Sequence, residues 1–189
     1  MDTKLEGSAM LKSRKECLDQ YGSDYYIRQK ISSGELHRLE KGVFAEDADV
    51  PELALISWKY PKAVITMLSA FYYYGLTDTV PNLYDLATDR DAAKIPDPRV
   101  RQHFMPSESF HAGITSAEEH GWAFRIYDRE RMLVELLRHK SKLSFDLYKE
   151  VLLNYRKIMP QLNIQKIQDY ALSVPRSNVI LNALQTEVL

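Results

Sequence analysis

The feature that most constrains this chain is the placement of turn residues near its start: Gly22-Ser23, Gly34 and Lys41-Gly42 leave only short segments between them. No long element fits between such breaks, so each segment is one short helix or one strand. The spacing predicts a helix over 13–21, with Cys17, Leu18 and Tyr21 on one face. Gly22 ends it, because glycine enters the left-handed region at little cost. Ser23 then caps a second helix running to about Ser33, and Gly34 stops that one. From Leu36 to Phe44 the chain alternates, turns at Lys41-Gly42 and resumes, which is the pattern of a hairpin. Two short helices and a hairpin make a reduced winged helix-turn-helix.

The remainder mixes helices and strands. Pro51 opens a helix through Trp58, since a missing N–H costs nothing at the first helical position. Ala63–Thr66 forms a brief strand or the lead-in to the next helix, Ser69–Tyr74 a helix closed by Gly75, and 82–88, 100–105 and 122–127 are strands. Asp128 caps a helix to about His139, Ser144 one to about Met159, and Asn163 a segment through Ser173. Pro175 breaks that run ahead of a final helix, 176–188. The expected fold is α+β: a small winged helix-turn-helix over 10–46, then a larger mixed domain over 47–189 ending in helices. Residues 1–9 carry no periodic pattern and read as a leader or tag-like segment. The acidic Asp47-Ala48-Asp49 marks the boundary between the modules.

Composition excludes several classes. Of 189 residues, 45% are hydrophobic and 27% charged, enough apolar material for a core and too little for a disordered chain. No apolar run reaches the roughly 20 residues of a membrane span, and no export signal opens the chain, so a cytoplasmic protein without a membrane partner is expected. The lone Cys17 rules out an internal disulfide and a multi-cysteine zinc site. Net charge is −1 but unevenly spread: residues 1–46 balance, 47–120 sum to −5 and 121–189 to +4. The five histidines lack metal-ligand spacing, and no phosphate-binding glycine loop or nucleophile elbow is present, so neither metal, cofactor nor enzyme chemistry is expected. Asp85, Asp89 and Asp91 cluster in sequence, which leaves a carboxylate-based nuclease or transferase as a minor reading.

The second helix carries the binding candidates. Ile27 and Ile31 share its buried face, while Tyr25, Arg28, Gln29 and Ser32 form a second stripe flanked by Tyr26 and Lys30. Arginine and glutamine pair with guanine and adenine edges in the major groove, and tyrosine, lysine and serine suit phosphate oxygens. Alone, such a stripe is better read as an ordinary solvated face. The hairpin beside it adds His37, Arg38 and Lys41 pointing outward while Leu36, Leu39 and Val43 pack inward, as a wing on a DNA backbone requires. Lys12, Arg14, Lys15, Arg129, Arg138, Lys140 and Lys142 are additional candidates for phosphate contacts. Asp128-Arg129-Glu130-Arg131 has an ordinary explanation, an aspartate cap with charges in a first helical turn.

Four stretches, taken in order, resemble one family. Glu35–Phe44 is similar to the "leucine–x–arginine–leucine … glycine–valine–tyrosine" wing of AbiEi-type abortive-infection antitoxins, with Phe44 in place of the more usual tyrosine. The likeness continues through Val64–Phe71 and Gly75–Pro81, and resumes at Ile126–Leu137 with the family's "aspartate–x–glutamate–arginine" helix start. It spans about residues 12–157. The resemblance implies the antitoxin of a bacterial type IV toxin–antitoxin pair active in phage defence. Such a protein represses its own promoter through its winged helix and counteracts a nucleotidyltransferase toxin without needing to bind it stably. The rival expectation is a protein-interaction antitoxin or scaffold that does not bind DNA.

Overall fold

The computed structural model describes residues 11–188, so the expected leader at 1–9 lies outside the described residues. Contacts divide the chain into two compact units. One runs through Lys59 and includes 117–124, and the other comprises Tyr60–Ser116 and Arg125 onward. The division at Lys59 differs from the module boundary expected near residue 46, because the helix opened by Pro51 groups with the first unit.

The first unit contains β1 (Lys12–Ser13), α1 (Arg14–Tyr21), α2 (Asp24–Ser32), β2 (His37–Glu40), β3 (Val43–Ala45) and α3 (Glu52–Lys59). Its sheet has the order β1-β3-β2, with both pairings antiparallel. β1 was not apparent in the sequence, since two residues carry no period. Ser13 and Glu16 form a reciprocal capping box at the start of α1, and Gly22 closes the helix with φ 84°. The Ser23 side chain accepts from the Tyr26 N–H to start α2. Cys17, Ile27, Leu36 and Phe44 form the core, with Leu18, Tyr21 and Ile31 packed against it. A register shift between Arg38 and Glu40 puts an extra residue, Leu39, into β2. Leu36, ahead of β2, is buried in the core as expected, whereas Leu39 at this bulge is only half-buried.

A five-stranded sheet of order β6-β5-β4-β8-β7 is formed by β4 (Val64–Ile65), β5 (Tyr84–Asp89), β6 (Val100–Met105), β7 (Ile114–Glu119) and β8 (Trp122–Tyr127); its residues 117–124 group with the first unit and the rest with the second. β4 is antiparallel to β5 and parallel to β8, and β5 is parallel to β6. The central β4 is buried on both faces, which is why so short and wholly apolar a strand suffices. β7, polar on most positions, gave no sequence signal. It is defined by the turn His120-Gly121, whose two positive φ values, 50° and 83°, match the right-handed twist of a two-residue hairpin. The helices are α4 (Met67–Tyr73), α5 (Ser107–Phe110), α6 (Arg129–Arg138), α7 (Phe145–Ile158), α8 (Ile164–Leu172) and α9 (Ser177–Ala183), the last followed by a π turn over Leu184–Val188. The fold is therefore α+β, as expected. No helix among the described residues is long and apolar enough to cross a membrane.

Inside α6 the structure departs from the sequence expectation. Asp128 does cap the helix, accepting from the Arg131 N–H at 2.8 Å. Arg131, however, is fully buried rather than solvated in the first turn, and so is Glu135 one turn on. The Arg131 guanidinium donates to the Ser109 and Ala112 carbonyls at 2.6 and 2.9 Å and to Glu135 Oε1 at 3.0 Å. Arg138 and His139 approach the same carboxylate, both at 3.3 Å. Burial alone would raise the Glu135 pKa, but His139 and the two arginines outweigh it and hold the group down at about 2.

Candidate nucleic-acid interface

The candidate interface is assembled by α2 and the β2–β3 hairpin within the first unit. Ile27 anchors one side of α2 in the core, so geometry turns the opposite stripe to solvent. Tyr25 is 68% and Tyr26 54% exposed, with rings edge to face at 5.4 Å. Arg28, Gln29 and Ser32 are exposed as well. Arg28 Nε donates to the Asp24 carbonyl at 3.2 Å and Ser32 Oγ to the Arg28 carbonyl at 2.9 Å, so both side chains lie along the helix surface. Among the described residues no carboxylate pairs with Arg28. The five side chains Tyr25, Tyr26, Arg28, Gln29 and Ser32 thus share one solvent-facing surface.

The hairpin places Arg38 and Lys41 in solvent, while His37 is half-buried. Arg38 Nε contacts the Glu40 carbonyl at 3.4 Å, and Glu40 itself pairs with Lys59 at 2.9 Å, which leaves Arg38 without a carboxylate partner among the described residues. Gly42 at φ 82° makes the tip. A positive φ is strained for any residue with a Cβ, and glycine is suited to it.

Several expected phosphate contacts are corrected by the structure. Lys12 is buried, bonded to Glu46 at 2.5 Å and 5.9 Å above the Tyr21 ring. Burial alone would lower its pKa, but the Glu46 carboxylate raises it above the ordinary lysine value. It is an internal ammonium, held there because β1 pairs with β3 beside Phe44. Arg14 is exposed but occupied by Asp24 at 2.6 Å, a bond that pulls the Asp24 carboxyl below its usual range. Lys30 is paired with Glu35, which lowers that carboxyl too. Lys15 is exposed.

The remaining candidates belong to the second unit. Arg129 is exposed, with its guanidinium 5.2 Å from the Tyr74 ring centre. Arg138 is a correction: it is half-buried, bonded to Glu135 and 3.7 Å from Met105 Sδ, so packing and not solvent takes its charge. Lys140 is a correction of a milder kind, paired with Glu187 at 2.7 Å. Lys142 is exposed.

The acidic cluster does not converge. Asp85 is buried and accepts from His103 Nε2 at 2.7 Å, with Arg101 at 3.7 Å. Asp89 accepts instead from Ser107 Oγ and the Asp91 N–H. The two carboxylates are thus held by separate partners, and no group of three or more His, Cys, Asp or Glu among the described residues is arranged to hold a metal ion. The groove along α7 was not among the sites expected from the sequence. Its exposed Phe145 and Leu153 flank the buried stripe Tyr148, Val151, Leu152 and Tyr155, and an apolar band wider than one helix face was the available signal.

No protein-family model matches the chain, and no curated protein matches it. Among solved structures, the fold is similar to the crystal structure of the RV2827C protein from Mycobacterium tuberculosis, with a TM-score of 0.61 and 15% sequence identity, covering 93% of this chain and 71% of that one. At that identity the likeness concerns the fold.

Proposed function

We propose that this protein is a DNA-binding antitoxin of the AbiEi type, acting in a bacterial type IV toxin–antitoxin system. In this reading it represses its own promoter and counteracts a nucleotidyltransferase toxin, and it works in the cytoplasm with no cofactor. The observation that carries the DNA-binding half is the exposed stripe Tyr25, Arg28, Gln29 and Ser32 on α2, in the same unit as a wing whose Arg38 and Lys41 lack carboxylate partners among the described residues. A short helix seated on its own core, with arginine and glutamine outward, suits insertion in a major groove. The antitoxin half rests on the ordered sequence resemblance alone. Binding of the full chain to its own promoter, measured across salt concentrations, tests the first half. A steep loss of affinity with salt supports it, since neutralised phosphates release counterions. Co-expression with the neighbouring nucleotidyltransferase tests the second.

A protein-interaction antitoxin is the second reading, favoured by one observation. Arg14 and Lys30 are already paired with Asp24 and Glu35, which thins the positive field around α2. Promoter binding no tighter than binding to random duplex would support this reading over the first.

A further inference from the structure

We propose that the second unit carries a docking groove for an acidic amphipathic helix of a partner protein, laid along α7. Phe145, Tyr148, Lys149, Leu152, Leu153 and Arg156 recur at helical spacing and line one side of a cavity of about 420 Å³. From Phe145 to Arg156 such a stripe extends about 16 Å at 1.5 Å per residue, the length of about three turns of a second helix. Lys140, Leu143 and Glu187 close the other side.

Two features select the occupant. The floor is aliphatic and aromatic, yet it is not covered: Phe145 is 74% and Leu153 42% exposed. The rim is positive. Lys140, Lys149 and Arg156 stand against the single carboxylate Glu187, which is already engaged by Lys140 at 2.7 Å and by the Tyr148 hydroxyl at 2.7 Å. Arg156 is anchored on the Glu187 carbonyl, and among the described residues Lys149 contacts no carboxylate, only the Phe145 ring at 6.0 Å. Glu150, next in sequence, is held away by Thr77 Oγ1 and the Asp78 N–H. An elongated apolar floor with cations along its rim suits a helix that has apolar anchors at i, i+4 and i+7 and carboxylates beside them. Nucleic acid fits less well, because Lys149 already lies over the Phe145 ring, the Tyr148 hydroxyl is bonded to Glu187, and the leucines between them offer no stacking face.

The test uses the full chain and a fluorescent synthetic helix of about 14 residues, leucine at the three anchor positions and glutamate around them. Anisotropy should show saturable binding that weakens with salt. Leu153→Glu and Lys149→Glu alter exposed positions and should each weaken it at least about tenfold, with unchanged circular dichroism. A peptide with lysine for glutamate should not bind. The proposal is overturned if the acidic peptide fails to saturate the protein, or if both variants bind it as well as the parent. It is equally overturned if a single-stranded oligonucleotide, and not the peptide, shifts the methyl resonances of Leu152 and Leu153.

Discussion

A Cβ built on Gly113 would lie 2.5 Å from the Cβ of Arg131, closer than two such atoms can approach. Gly113 also has φ 84°, and its carbonyl accepts from the Asp128 N–H at 2.8 Å. The end of α5 and the turn through Gly113 therefore lie against the base of the Arg131 side chain, which reaches past Gly113 to the Ser109 and Ala112 carbonyls. Gly113→Ala meets both a steric block and a conformational penalty and should lower stability by about 2–4 kcal/mol. Urea denaturation of the variant checks this, and a change below about 0.5 kcal/mol would contradict it.

Glu135 makes acid sensitivity specific. Its folded pKa of about 2 lies below the ordinary value of 4.5, so the stabilisation is complete above about 4.5 and is lost as pH falls toward 2. Unfolding midpoints measured over that interval should fall as acid is added. Glu135→Gln removes this group's share of the slope and lowers stability at neutral pH by roughly 3–5 kcal/mol, because Arg131 is left buried beside a neutral partner. An unchanged slope in the variant would remove Glu135 from the explanation.

Arg28→Ala and Gln29→Ala should weaken binding to the protein's own promoter more than binding to random duplex. Each is expected to cost about 1–3 kcal/mol of discrimination if the side chains read base edges. Equal losses on both DNAs, in competition gel shifts, would reduce them to phosphate contacts.

The corrected positions separate surface from internal cations. Arg38→Ala and Lys41→Ala should each lower the salt slope of DNA binding by about 1, as loss of one phosphate contact does. Lys12→Ala should leave that slope unchanged and instead lower the thermal midpoint, since its buried side chain is already bonded to Glu46 at the edge of the β1–β3 pair. A reduced slope in the Lys12 variant would place that ammonium on DNA.

Gly42→Val probes the wing by backbone alone. A Cβ there meets nothing within 4 Å, so the whole effect comes from φ 82°. A branched residue in that region costs at least about 1–2 kcal/mol and should distort the hairpin tip. DNA binding should weaken while circular dichroism retains the signal of the second unit's helices.

What the sequence by itself determined was local. Gly22, Ser23, Gly34 and Gly42 define α1, α2 and the wing, because caps and positive-φ turns depend on residues next to one another. The period of α2 likewise identified which side chains face solvent, since Ile27 and Ile31 allow only one orientation. The same local logic recovered the capping residues Asp128, Ser144 and Asn163. Charge placement was decided by tertiary structure. Arg131 reads as an ordinary first-turn helix charge until the Ser109 and Ala112 carbonyls and Glu135 surround it, and Lys12 reads as a free cation until β1 pairs with β3 and brings Glu46 to it. β7 and the groove along α7 belong with these. A strand that is polar on most positions is defined only by its partner, and an apolar side chain becomes buried or exposed only when the neighbouring elements have taken their places. Hydrogen-bonded caps act over three or four residues, whereas burial and ion pairing act across the fold, so the sequence could name the exposed stripe but not which of its cations were already spoken for.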